Sequence, residues 1–146
     1  MKYRLVIDSD AEEEVVATVH APSELTERIE ELVASYSGTD SIYAYNEDER
    51  MRILFSDIEC ITVIDRRVTV IAKNGGKYRT GYRLFELEAL LPSYFIRINK
   101  SAIANRRRIA KFKTAFSGAV DAEFKCGYTE YVSRRCFADI KRRLEK

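Results

Sequence analysis

The chain has 146 residues, 46% apolar and 33% charged, with a formal net charge of +2. That is enough apolar material for one compact domain plus a small accessory unit, too short for two full-sized domains, and too hydrophobic for a disordered tail. No run of 18 apolar residues occurs, so membrane insertion is not expected, and the apolar stretch at the N-terminus is too short for a secretory signal, so a cytoplasmic location is the expectation.

In chain order, residues 2–8 alternate with β-branched content and read as a strand. Residues 14–20, with Val15, Val16, Thr18 and Val19, read as a second, and His20 is expected to pack within it. Ala21-Pro22-Ser23 breaks the pattern. Ser23 suits a helix N-cap, with Glu24 and Glu27 at the positive end of the dipole. Leu25, Ile29, Leu32, Val33 and Tyr36 follow at helical spacing, and Gly38 ends the helix. Residues 1–40 are therefore expected to form an acidic β-β-α accessory unit, too small to fold alone, that packs on the remainder or on a second copy.

Beyond Gly38 the texture is β-rich. Strands are expected over 41–45, 50–55, 59–64, 67–72 and 77–80, with Asn74-Gly75 as a hairpin signal. Residues 83–91 read as a short amphipathic helix stopped by Pro92. Further strands are expected over 95–98, 109–116, 120–124 and 128–132, with turns at Ser117-Gly118 and Cys126-Gly127. Residues 137–144 read as a basic helix with Phe137, Ile140 and Leu144 on its apolar stripe. The fold class is mainly β: an elongated multi-stranded domain over 41–146 with a short internal helix and a C-terminal helix.

Enzyme chemistry finds no support. The chain has no P-loop, GxGxxG, HExxH or nucleophile elbow, and a single histidine. Cys60, Cys126 and Cys136 are odd in number and widely spaced, so neither a disulfide framework nor a zinc site is expected. No cofactor and no metal are expected. Charge is more informative. Residues 1–50 hold 4 basic and 13 acidic side chains, residues 51–96 hold 7 and 5, and residues 97–146 hold 14 and 5. An acidic first third stands against a basic last third, which points to a polyanion partner for the C-terminal part.

The basic residues gather where segments meet: Asp65-Arg66-Arg67, Arg97-Ile98-Asn99-Lys100-Ser101, Asn105-Arg106-Arg107-Arg108 and Ser133-Arg134-Arg135. Loops on a rigid β scaffold can present side chains to a ligand, and the arginine fork matches both phosphate and a guanine edge. Three readings stay open. One is a duplex-DNA regulator, another a protein-interaction module whose basic loops meet an acidic partner, and the last a single-strand or RNA binder, which would need exposed aromatics for stacking.

These residues carry a resemblance. Asp57-Ile58-Glu59-Cys60-Ile61, Tyr78-Arg79-Thr80, Leu84-Phe85-Glu86-Leu87-Glu88, Leu91-Pro92, the block from Phe95 to Asn105, and Tyr131-Val132-Ser133-Arg134-Arg135 make residues from about 50 to 145 similar to the LytTR family of bacterial DNA-binding domains. The resemblance implies a transcription regulator that contacts the major groove of double-stranded DNA through loops rather than a recognition helix. It implies DNA contacts at Arg66 and Arg67 beside Asp65, at Asn99, Lys100 and Ser101, and at Arg134 and Arg135. Arg97, Arg106, Arg107 and Arg108 are assigned phosphate-contacting or supporting roles, and Asn105 the closing of a turn. Response regulators of this family carry a receiver domain, for which residues 1–40 are too short, so a stand-alone regulator acting as a homodimer on two half-sites is expected.

Overall fold

The computed structural model describes residues 1–144, with the side chains of residues 143 and 144 outside the description. Residues 1–23 hold neither helix nor strand and are exposed throughout, so the two N-terminal strands and the β-β-α unit are not formed, and His20 is exposed instead of packed. The physical reason is that two short β-prone stretches make at best a marginal ribbon, and neither sheet of the fold lends them an edge. Helix α1 (Glu24–Ser37) is present with the expected ends: Ser23 Oγ accepts from Thr26 N, Thr26 Oγ1 accepts from Ser23 N at 2.9 Å, and Gly38 closes it at φ 70°.

Ten strands follow: β1 (Ser41–Tyr45), β2 (Arg50–Leu54), β3 (Ile58–Ile64), β4 (Arg67–Ala72), β5 (Lys77–Arg79), β6 (Phe95–Asn99), β7 (Ala102–Asn105), β8 (Ile109–Thr114), β9 (Val120–Phe124) and β10 (Thr129–Val132). Helix α2 (Leu84–Leu90) lies between β5 and β6, and α3 (Arg134–Leu144) ends the described chain. The strands form a seven-stranded sheet in the order β2-β1-β5-β4-β3-β7-β6 and a three-stranded sheet in the order β10-β9-β8. All pairings are antiparallel. No helix among the described residues is long and apolar enough to cross a membrane.

Two departures from the sequence reading matter for function. Residues 102–105, expected as a connection, are strand β7, buried along its whole length and paired with both β3 and β6. Two alanines in a four-residue run give little β propensity, so only the pairing reveals it. The last helix begins at Arg134, not 137, which places Arg134 and Arg135 in its first turn.

The large sheet is covered on both faces. One core joins Ile42, Ile53, Phe55, Ile61, Val70 and Ile103 to Leu87 of α2. The other joins Cys60, Ile71, Ile98, Ala102 and Ala104 to Val120 and Phe124 of the small sheet and Ile140 of α3. Alternate residues of β7 feed the two cores, as the period of a strand requires. Leu144, expected on the stripe of α3 with Phe137 and Ile140, has its side chain outside the described residues. Between the sheets, Glu59 is fully buried. Its carboxylate accepts from Arg108 Nε at 2.6 Å and from Cys126 N at 3.4 Å. Removing one member of a buried ion pair strands the other without solvent. Arg108→Ala is therefore expected to cost about 3–5 kcal/mol of unfolding free energy in urea titration, and Glu59→Gln markedly less.

Candidate nucleic-acid interface

Three of the four basic segments converge at one end of the large sheet. In the β3–β4 turn, Ile64 pairs with Arg67, leaving Asp65 and Arg66 as a two-residue loop with φ of 51° and 64°. Asn-Gly is the usual pair for such a loop. An arginine held in the left-handed region costs roughly 1–2 kcal/mol, and strain of this kind concentrates at functional sites.

The β6–β7 turn carries Lys100 and Ser101. Asn99 shapes it with both ends of its amide: Oδ1 accepts from Ser101 N at 2.7 Å, and Nδ2 donates to Tyr131 O at 2.6 Å. Ser101 O accepts from Val63 N at 3.1 Å, which locks this turn to the β3–β4 turn. The β10–α3 junction joins from the other side, where Ser133 N donates to Ile98 O at 2.8 Å. Ser133 Oγ accepts from Cys136 N at 3.1 Å and so caps α3. A polar group braces the cluster from below. The Glu130 carboxylate accepts from Thr62 Oγ1 at 2.5 Å, from Tyr128 OH at 3.1 Å and from Tyr131 N at 3.0 Å. Burial, and then the charge of Glu130, hold the Tyr128 hydroxyl above its ordinary pKa, so it stays a donor.

Arg66, Arg67, Lys100, Arg134 and Arg135 are all exposed at this end, and among the described residues none has a carboxylate partner. Arg134 and Arg135 also oppose the positive end of the α3 dipole, an arrangement that works against helix stability. Sequence reading overlooked one neighbour. Phe116 at the tip of the β8–β9 hairpin is completely exposed, and a Cβ at Gly118 in that turn would stand 3.7 Å from Arg134 Nη2. An aromatic with no core to fill is the signal that singles it out, but only burial data show it.

The fourth basic segment lies at the opposite end of β7 and is neutralised. Arg106 pairs with Glu27; Arg107 pairs with Glu27 at 3.0 Å and with Glu31; Arg108 pairs with Glu59. Arg107 also stacks over the Tyr94 ring, 4.1 Å from its centre. Burial, and secondarily the Glu30 carboxylate, push the Tyr94 hydroxyl up to about 12. Asn105 is buried, donating to Ile58 O at 2.9 Å and accepting from Arg107 N at 3.0 Å. Arg97 reaches Glu88 of α2 at 3.5 Å, away from the loop cluster.

Residues 48–145 match the family described as LytTr DNA-binding domain. Proteins of Staphylococcus aureus described as uncharacterized HTH-type transcriptional regulators, from strains RF122 and NCTC 8325 among others, are 33% identical over 147 residues, covering 99% of this chain and 98% of theirs. Among solved structures, a LytTr DNA-binding domain from Bacillus cereus, described as part of a methyl-accepting/DNA response regulator, superposes with a TM-score of 0.65 at 23% identity, covering 72% of this chain and 96% of that one. That likeness shows the fold. A helix-turn-helix needs two helices joined by a short turn, whereas α1, α2 and α3 are each separated by strands, so the described residues contain none.

The strained turn yields a test that separates stability from binding. Arg66→Gly is expected to raise unfolding free energy by roughly 0.5–1 kcal/mol, since glycine tolerates positive φ at the cost of some unfolded-state entropy. The thermal midpoint measures it.

Proposed function

The chain belongs to the LytTR family of DNA-binding transcription regulators, and on that premise we propose that it reads double-stranded DNA in the major groove through the loop cluster at one end of its large sheet. The observation that carries this reading is an asymmetry between the two ends of β7. At one end the arginines of residues 106–108 are all spent on carboxylates. At the other, five cationic side chains from three segments stand exposed and unpaired among the described residues, on turns held by backbone hydrogen bonds. Phosphate and guanine edges are the partners that planar, unpaired guanidinium groups fit.

Arg66 and Arg67, Lys100 with Ser101, and Arg134 with Arg135 are the contacting set. Asn99 works by holding the β6–β7 turn, because its amide is committed at both ends. Arg97 and Arg106–Arg108 serve the scaffold. Residues 1–40 act as an accessory unit whose helix α1 docks away from the DNA-facing turns, and the regulator acts as a homodimer on two half-sites in the cytoplasm.

Selection from a random duplex pool tests the reading: a recovered motif supports it, while binding without sequence preference would leave the loops with phosphate attraction alone and favour an acidic protein partner. Against the recovered site, Lys100→Ala and Arg135→Ala are each expected to cost about 1–3 kcal/mol. Arg106→Ala, which removes no DNA contact, is expected to stay within about twofold of the parent affinity. Near-parent affinity for both Lys100→Ala and Arg135→Ala would remove the assignment of the contacting set.

A further inference from the structure

Helix α1 lies on the domain the wrong way round for an amphipathic helix. Its acidic face is the docked one. Glu27 and Glu31 grip Arg106 and Arg107, Glu30 accepts from Ser93 N and Oγ, and Thr26, Glu27, Ile29, Glu30, Glu31 and Ala34 are half-buried. Its apolar stripe, Leu25, Leu32, Val33 and Tyr36 with the half-buried Ile29 among them, is centred on the opposite side of the wheel at 3.6 residues per turn. Leu32 is 71% exposed and Tyr36 86%, and no residue of α1 is fully buried. The ordinary arrangement is an apolar stripe facing the core with charge outward. Turning the stripe inward would break the ion pairs that dock the helix.

From this we infer that the outer stripe of α1 is the surface on which a second copy of this chain docks, through the same stripe. The inference deepens the regulator reading above and rests on it for the use of two half-sites. Three observations favour a second copy as the occupant. First, the stripe is compatible with itself. On the helix itself, Glu27 and Glu31 face the other way and are neutralised, Glu30 is held there by Ser93, and the charged flank carries Glu24 and Arg28 already paired at 2.7 Å. In an antiparallel pair centred between residues 30 and 31, Leu25 meets Tyr36 and Ile29 meets Leu32, while Val33 meets the aliphatic stem of Arg28. Second, the stripe has the size of a binding patch. Leu25, Leu32, Val33 and Tyr36 together expose roughly 400 Å², allowing up to ~200 Å² for an exposed tyrosine, within the range of about 300–600 Å² for the largest apolar patch on a monomer, which is often functional. Third, the placement leaves function free. The stripe is carried on the end of β7 opposite the unpaired cationic loops, so pairing there obstructs none of the three DNA-facing turns.

The experiment is the solution mass of the full chain by sedimentation equilibrium at micromolar concentration. The parent chain is expected to be dimeric, and Leu32→Glu with Tyr36→Glu to halve the mass. Both side chains are exposed, so the fold is not at stake; Leu32→Ala with Tyr36→Ala, read by the same mass and by near-ultraviolet circular dichroism, is the gentler check. A monomeric parent, or a folded variant pair that stays dimeric, overturns the inference. The outcome is independent of the DNA reading: a dimer that selects no motif would sink that reading alone, whereas a monomer that selects one would sink the interface alone. With both right, the glutamate variant keeps parent affinity for a single half-site and loses the gain from pairing two.

Discussion

Strand β7 is the constraint on which the rest of this structure depends. Four residues long, it is hydrogen-bonded to β3 on one side and β6 on the other and buried on both faces, with Ile103 in one core and Ala102 and Ala104 in the other. Small residues are needed at 102 and 104 because the second sheet and α3 close over them, and interiors packed to crystal density leave no room for more. The two ends of this strand carry two of the basic turns of the chain. Before it comes the Lys100-Ser101 turn, tied to Val63 and, through Asn99, to Tyr131. After it comes the arginine turn that Asn105 closes and α1 grips.

The charge asymmetry of the chain acquires a spatial meaning from this arrangement. Acidic residues of α1 cancel the arginines at one end, and Glu59 cancels another within the core. At the other end Arg66, Arg67, Lys100, Arg134 and Arg135 are left without a carboxylate partner among the described residues. A field of one sign at one end of a molecule steers a polyanion to that end. The strained Arg66 and the arginines set against the α3 dipole both cost stability. Both costs fall at the same end, where the proposed function places the contacting set.

Much of this was legible in the residues. Ser23 and Gly38 bracket α1 as capping chemistry dictates, and the Asn74-Gly75 hairpin forms with Gly75 at φ 85°. Pro92 ends α2 within two residues of its last turn. The basic clusters stood out as clusters. What the residues did not show is which clusters were free. The partners of Arg106 and Arg107 lie about 80 positions away in sequence, and an arginine triplet looks equally basic whether or not carboxylates reach it. The N-terminal strands failed for a related reason: alternation shows that a segment could pair, not that an edge exists to pair with.

The sequence by itself therefore determined the local features: the ends of α1 and α2, the turns at Asn74-Gly75, Ser117-Gly118 and Cys126-Gly127, the β-rich texture beyond Gly38, and the blocks around Phe95–Asn105 and Val132–Arg135 that carry the family resemblance. These depend on short-range sterics and hydrogen bonds that neighbouring residues settle among themselves. The tertiary structure alone decided that residues 102–105 are a central strand, that three cationic turns share one end, that Asn99 is committed to holding its loop, and that α1 docks by its acidic face. Those outcomes depend on burial and on ion pairs between residues distant in sequence, and the energy of such contacts is set by where the folded chain places them.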